Sequence, residues 1–372
     1  EIVKKHPSTN GNWSIAENGN KIQKYPIGMA ILYSPAFAAG HFFADRWGFQ
    51  QDGYSFPYQY FLSVYSVLFA CIGLWLLRIV LLYYFKDYIV AIVLGIIVLA
   101  SNYVVYAGLS ASMSHGYLFT LYALLIWLTI LWHKNYRWWF AVCIGLVYGL
   151  MIIVRPTEII AILIPLFWGV YNKETLITKA KLVWEYKGQV VLLVATTIPI
   201  GMVQLLYWKT FSGDWIYYSY DDQGFSFLSP HLIDGLFSYR KGWLIYTPVM
   251  LFAIAGFWHL YKKNVRLFGA FFLFFVVNRY IIYSWDIWWY GGSIGSRAVG
   301  QSYAILAFPL AAFVTWIAQQ KKAFLIAWSC IVLTFADLNL MQTWQSHVAD
   351  GGWQSESMTR AYYFSIIGST QA

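Results

Sequence analysis

Residues 60–83 read YFLSVYSVLFACIGLWLLRIVLLY, with Arg78 the one charge and no proline. A helix of that length rises about 36 Å, more than the roughly 30 Å of hydrocarbon in a bilayer. Hydrocarbon offers no partner to a free backbone group, so the whole run is predicted helical. Similar apolar runs follow at 88–107, 116–132, 138–154, 157–171, 189–208, 243–260, 267–283, 301–317 and 323–341. The expected fold is therefore all-α, a polytopic transmembrane helical bundle of about ten spanning helices over residues 60–341. The 157–171 run is short for a crossing and needs support from neighbours or a thinned bilayer.

Composition agrees. Of 372 residues, 60% are hydrophobic and 11% charged, against about 25% charged in soluble domains. The 20 Trp and 30 Tyr suit the membrane–water boundary, where one end of the ring is apolar and the other bonds water. A net charge of +9 raises the question of nucleic acid. The basic residues sit in short loops between apolar runs, which argues against such a partner and for a lipid bilayer. Cys71, Cys143 and Cys330 all lie inside apolar runs and read as small buried hydrophobes, not as a disulfide framework.

Alternate loops carry Lys86; Lys134 and Arg137; Lys173, Lys179, Lys181 and Lys187; Lys262, Lys263 and Arg266; and Lys321 and Lys322. Only Asp87, Glu174 and Glu185 oppose them on that side. The positive-inside rule makes it cytoplasmic. Asp214, Asp221, Asp222, Asp234, Asp286 and Asp350 fall on the other side. That outer side holds residues 1–59, 209–242 and 284–300 and the tail 342–372. Residues 27–43, IGMAILYSPAFAAGHFF, are apolar but interrupted by Pro35, Gly40 and His41. They are expected to form a helix lying in the outer interface, within a segment 1–59 that starts in an exposed loop.

Polar residues with chemical potential gather outside. SWDIWWYGGSIGSRAVG at 284–300 combines Trp288, Trp289, Tyr290, Asp286, Arg297 and four glycines. Arginine offers a planar fork for phosphate, and aromatic faces suit a sugar ring; the plainer alternative is an interfacial belt with a turn. In SGDWIYYSYDDQGF at 212–225, Asp221 and Asp222 are either solvated loop acids, a base, or ligands of a divalent metal. Arg240 and Lys241 stand at a helix entrance on the side opposite to that favoured by the positive-inside rule, either snorkelling or meeting a lipid phosphate. Arg155 and Glu158, in RPTE, form a packing pair or line a cavity. His115 is a hydrogen-bonded structural histidine or a site residue. Lys24 and Tyr25, before Pro26, sit at the depth of lipid phosphates or serve as anchors. The seven histidines show no HExxH spacing, and no Walker motif or nucleophile elbow occurs.

KYPIGMAILYSPAF, SMSHGYLFTLYAL, VRPTE, GDWIYYSYDDQGFSFLSP with LFSYRKGWLIYTP, WDIWWYGGSIGSRAVGQSYAILAFPLA and LNLMQTWQ, in that order, resemble bacterial polytopic glycosyltransferases of the GT-C superfamily. These are related to protein O-mannosyltransferases and aminoarabinose transferases. The resemblance implies transfer of a sugar from a polyprenyl-phosphate donor to a lipid, glycan or protein acceptor. It places the chain in the bacterial inner membrane, with the active face periplasmic. It implies no required cofactor, a divalent metal being optional. The family's base, an Asp in the first external loop, is expected upstream of Glu1. Glu17 does not match its context, and Asp221, Asp222 and Asp286 are the fallback acids. Lys24 resembles the family's phosphate-contacting lysine. Arg155, Arg240, Lys241 and Arg297 are placed with it by charge and depth. Tyr25, His115, Glu158, Trp288, Trp289 and Tyr290 are the expected sugar or acceptor contacts. The alternative is a transporter or flippase for a lipid-linked or small polar solute, which predicts charge near mid-membrane and broken helices.

Overall fold

The computed structural model describes residues 13–220, 222–348, 353 and 356–369. Among them the only sheet is a hairpin, β1 (Trp13–Ile15) antiparallel to β2 (Lys21–Gln23). All else of regular structure is helical, so the all-α class holds. The segment 27–43 lies within helix α1 (Gly28–Arg46), which buries Gly28, Leu32, Ala36, Gly40 and Ala44. That four-residue spacing is a single narrow stripe, and the rest of α1 faces outward.

Among the described residues six helices are long and apolar enough to cross a membrane: α2 (Phe56–Leu82), α4 (Ser114–Asn135), α8 (Lys187–Ser212), α12 (Val265–Tyr283), the continuous stretch Arg297–Ile317, and α14 (Lys322–Gln345). The stretch Arg297–Ile317 is a 3-10 turn, Arg297–Ser302, running into α13 (Tyr303–Ile317). The other four expected spans are shorter or broken. Helix α3 (Asp87–Leu99) stops early, and a π-helical turn, Val105–Leu109, follows. Helix α5 (Trp138–Val154) ends where Pro156 starts a 3-10 turn, Pro156–Ile162, continued by one turn of α6 (Leu163–Leu166). A residue before proline is driven out of the helical region, and Arg155 is extended at φ −153°. Pro248 likewise divides 243–260 into α10 (Trp243–Tyr246) and α11 (Met250–Lys263).

A helix also forms where the sequence reads as a polar loop. In α7 (Lys173–Glu185), Asn172 caps by accepting from Thr175 N at 2.8 Å while Thr175 Oγ1 accepts from Asn172 N at 3.0 Å. Lys179 turns inward, its Nζ 2.6 Å from His133 Nε2. Burial lowers the Lys179 ammonium to about 8.

The Arg297–Ile317 stretch is the most enclosed, 94% buried, while α8 at 6% and α14 at 11% form the rim. Ile198 on α8 and Leu333 on α14 stay more than half exposed, as suits helices whose neighbour is lipid rather than water. Two inner pairs close through glycine. A Cβ on Gly256 of α11 would lie 2.0 Å from the Pro309 carbonyl oxygen of α13, and one on Gly73 of α2 would lie 2.3 Å from Thr120 Oγ1 of α4. The basic loops meet at one end. Gly169 N donates to Arg266 O at 3.2 Å, Gln189 Nε2 to Tyr136 O at 2.7 Å, and Lys134 lies 3.9 Å over the Tyr83 ring. At the opposite end Asn339 Nδ2 donates to the carbonyls of Leu99 and Ser101, Tyr303 Oη to Asn102 Oδ1 at 2.7 Å, and Ser219 Oγ to Lys24 O at 2.7 Å. The residues before α2 are tied to the bundle there: Gln204 Oε1 on α8 accepts from Ile27 N at 2.7 Å.

Candidate functional site

Several expected cations converge at this second end. Arg155 stands where Pro156 stops α5, Arg297 opens the 3-10 turn before α13, and Lys241 precedes α10. Arg155 lies 5.1 Å from the Tyr290 ring centroid. Arg297 places Nη1 3.9 Å from Met113 Sδ. Lys241 is buried, and its Nζ donates to Ser293 O. His115 is close enough to both Arg155 and Arg297 to feel their charge, and Lys241 feels Arg297 and Arg240. Lys24 lies 5.3 Å over the Tyr220 ring, which in turn feels Arg155. Among the described residues no carboxylate lies within ion-pair distance of Lys24, Arg155, Lys241 or Arg297. Four cations thus share a region with no directly paired carboxylate among the described residues, which favours an incoming anion. Burial lowers Lys241 to about 7; Glu356 opposes this, and Arg297 and Arg240 add to it. Its charge therefore changes near neutral pH.

Aromatic rings line the same region. Tyr25 meets Tyr220 edge-on at 6.5 Å, and Tyr220 meets Trp285 at 5.4 Å. Tyr290 adopts φ 55° and Gly291 φ 68°. Left-handed backbone is uncommon for a residue other than glycine, and here it aims the tyrosine. Its hydroxyl donates to Ile282 O at 2.8 Å while its ring faces Arg155. Burial pushes the Tyr290 phenol up to about 12, so it stays a neutral donor.

Other expected residues are engaged elsewhere. Arg240 pairs with Glu356 at 3.6 Å and lies 3.7 Å from the Trp289 ring, while Trp289 Nε1 donates to Glu356 Oε2 at 3.0 Å. Three residues thereby close on one another and fasten the tail to the loop before α10. Trp288 is buried against His231. Asp286 accepts from Gly224 N at 2.8 Å and Ser226 Oγ at 2.5 Å, so both its oxygens brace one external loop on another. Asp222 is exposed; Asp221 lies outside the described residues. Among the described residues no group of three or more His, Cys, Asp or Glu is placed to hold a metal ion.

Several partners escape a reading of sequence. His115 Nδ1 lies 2.9 Å from Gln301 Oε1, Gln301 Nε2 donates to Glu158 Oε1 at 3.0 Å, and the Tyr122 hydroxyl donates to Glu158 Oε2. These residues come from α4, the turn after α5, and the turn before α13. Arg279, buried in α12, donates to Asn278 Oδ1 at 2.5 Å and Ser302 Oγ at 3.1 Å and lies 4.3 Å from the Trp243 ring. A charge inside an apolar run is costly enough to flag in advance; the glutamine gives no such signal. Two surface depressions, about 330 Å³ beside Phe237 and Arg360 and about 490 Å³ beside His41 and Arg46, are lined by none of Lys24, Arg155, Lys241 and Arg297.

No family model, curated protein or solved structure matches the chain.

Proposed function

We propose that the chain is a membrane glycosyltransferase of the GT-C type. In this reading it takes a sugar from a polyprenyl-phosphate donor at the face opposite its basic loops and passes it to a hydroxyl of a lipid, glycan or protein. The observation that carries the reading is the convergence of Lys24, Arg155, Lys241 and Arg297, with no ion-paired carboxylate among the described residues, beside Tyr25, Tyr220 and Tyr290. A lipid phosphate brings negative charge to this depth, and its charge grows as the sugar departs. Fixed cations stabilise that growth without reorganising. The tyrosine and tryptophan faces suit the sugar ring. The bilayer holds the donor's tail, with the basic loops on the cytoplasmic side of a bacterial inner membrane and all ten apolar runs contributing to the bundle.

A second reading, a transporter or flippase, draws on two buried charges within apolar helical stretches, Arg279 of α12 and Glu158 of the broken α5–α6 segment. One experiment separates them. The full chain in proteoliposomes is offered undecaprenyl-phosphate-linked hexoses with lipid, glycan and peptide acceptors. The transferase reading expects a new glycosidic product, lost in R155A and R297A with expression unchanged. Movement of the intact donor between leaflets, with no product, refutes it in favour of the second.

A further inference from the structure

We propose that the depression between the outward face of α1 and the loop 47–55 binds one phospholipid of the membrane through a phosphoethanolamine headgroup, with Arg46 on its phosphate and Asp45 on its ammonium. The inference goes beyond the transferase reading and stands without it.

Place argues for a lipid. The depression, about 490 Å³, is lined by Phe37, His41, Phe42, Asp45, Arg46 and Gln51. None of these belongs to the stripe Gly28, Leu32, Ala36, Gly40 and Ala44 that α1 turns to the bundle. His41 Nδ1 lies 2.6 Å from Tyr58 Oη at the start of α2, and Gln51 Nε2 donates to His41 O at 3.1 Å. The far end of α2 leads to Tyr83, under Lys134 of the basic loops, so the depression lies at the opposite end. Trp47, Phe49, Phe56 and Tyr60 are exposed beside it and joined ring to ring. Trp47 meets Tyr60 at 6.3 Å, and Phe56 meets both Phe49 and Tyr60 at 5.9 Å. Exposed rings gather in this way at headgroup depth, where apolar and wet surroundings meet.

Charge argues for the headgroup. Arg46 gives one N–H to Phe42 O at 3.0 Å and lies 3.5 Å from the Phe42 ring centroid. The stacking holds a planar fork whose other N–H groups are unbonded among the described residues, and such a fork matches phosphate. Asp45 is exposed, and among the described residues its carboxylate makes no ion pair. Gln51 turns its NH2 to His41 O, which leaves Oε1 to accept. Opposite charges on successive helix positions, with Cα atoms about 3.8 Å apart, stay unpaired and line one depression. They suit a zwitterion whose own charges are two carbons apart. An ethanolamine ammonium brings three N–H donors to Asp45 and Gln51, and Phe37 and Phe42 form an apolar wall for the glycerol and the first chain carbons. A glycerol headgroup would bring Asp45 a phosphate charge with no ammonium to offset it.

Native mass spectrometry of the full chain tests this, with phosphatidylethanolamine and phosphatidylglycerol of the same acyl chains as probes. D45N should retain the ethanolamine lipid about three- to fivefold less than the unaltered chain, the range of a solvent-exposed ion pair, and the glycerol lipid no less. R46Q should lose a similar factor for both lipids, and R46K, which keeps the charge at the helix end, should recover most of it. Both side chains are exposed, so thermal midpoints without lipid should agree. Hydrogen exchange at 37–51 should slow in vesicles of the ethanolamine lipid relative to the glycerol lipid. Equal retention of the ethanolamine lipid by D45N, R46Q and the unaltered chain overturns the site. Soluble glycerophosphoethanolamine held as tightly as the lipid overturns it in favour of a soluble ligand, and a dimer lost in D45N and R46Q without lipid retention overturns it in favour of a second copy of the chain.

Discussion

Replacing Gly256 by alanine should drive α11 and α13 apart. The new methyl carbon would stand 2.0 Å from the Pro309 carbonyl oxygen and 2.5 Å from its carbon. An ordinary carbon–oxygen contact is about 3.3 Å, so the axes must part locally by roughly 1.3 Å. The obstacle is backbone, and no rotamer change relieves it. Over-packing of this kind costs about 1–3 kcal/mol. Helix α13 continues directly from the turn that carries Arg297 and Gln301, so a displaced α13 also strains the 3.0 Å bond from Gln301 to Glu158. Gly201, in α8, is the control, because a Cβ there meets nothing within 4 Å. Alanine is the better helix former by up to about 1 kcal/mol, so G201A should be neutral or stabilising. Thermal unfolding in one detergent, read by circular dichroism, compares the three proteins. Equal midpoints for G256A and the unaltered chain would mean that the two helices do not touch at this glycine.

Four further outcomes are expected. Lys241 is held down to about 7, below the ordinary lysine value of about 10.4. The unfolded chain therefore binds more protons between those values, so stability should rise with pH across that window and level off below it; K241M should flatten the rise in a denaturation series. The same group gains its charge as pH falls through about 7, so undecaprenyl phosphate should bind more tightly at about pH 6 than at about pH 8, and a flat profile in a lipid-binding assay would contradict this. D286A releases Gly224 N and Ser226 Oγ and should cost about 1–3 kcal/mol, with faster hydrogen exchange at 224–226 and much less effect for D286N. At Tyr290, φ 55° excludes a β-branched residue at a cost of about 1–3 kcal/mol, so Y290V should unfold earlier than Y290N, which tolerates that backbone.

The apolar runs reveal most helix positions, since hydrocarbon leaves a buried backbone no other choice. Run 138–154 coincides with α5. Where a proline sits at the start or middle of a run, the run length misleads. Pro248 splits one apparent span into two short pieces, and Pro156 opens a 3-10 turn that takes up the first half of run 157–171. Helix α7 is the converse case: its lysines read as a loop, and only the Asn172–Thr175 cap and the inward turn of Lys179 explain why it is ordered. At the site, charge is legible and pairing is not. Arg155, Lys241 and Arg297 stand out because each abuts an apolar run, where a charge is costly. That Arg240 is occupied by Glu356, 116 positions on, or that His115 leans on Gln301, 186 positions away, follows only from how the helices are assembled.

The unequal helix lengths have a mechanical consequence. At 1.5 Å per residue, the 27 residues of α2 extend about 40 Å and the 13 of α3 about 20 Å, around a hydrocarbon layer of roughly 30 Å. One flank must lean over while the other draws the leaflets together. Such a protein wears a collar of lipid that is tall on one side and pinched on the other. Wherever the pinch lies, headgroups ride inward, so membrane thickness becomes a dial on how readily an amphiphile's polar end meets the protein. Reconstitution into a series of lipids of graded chain length would turn that dial one carbon pair at a time.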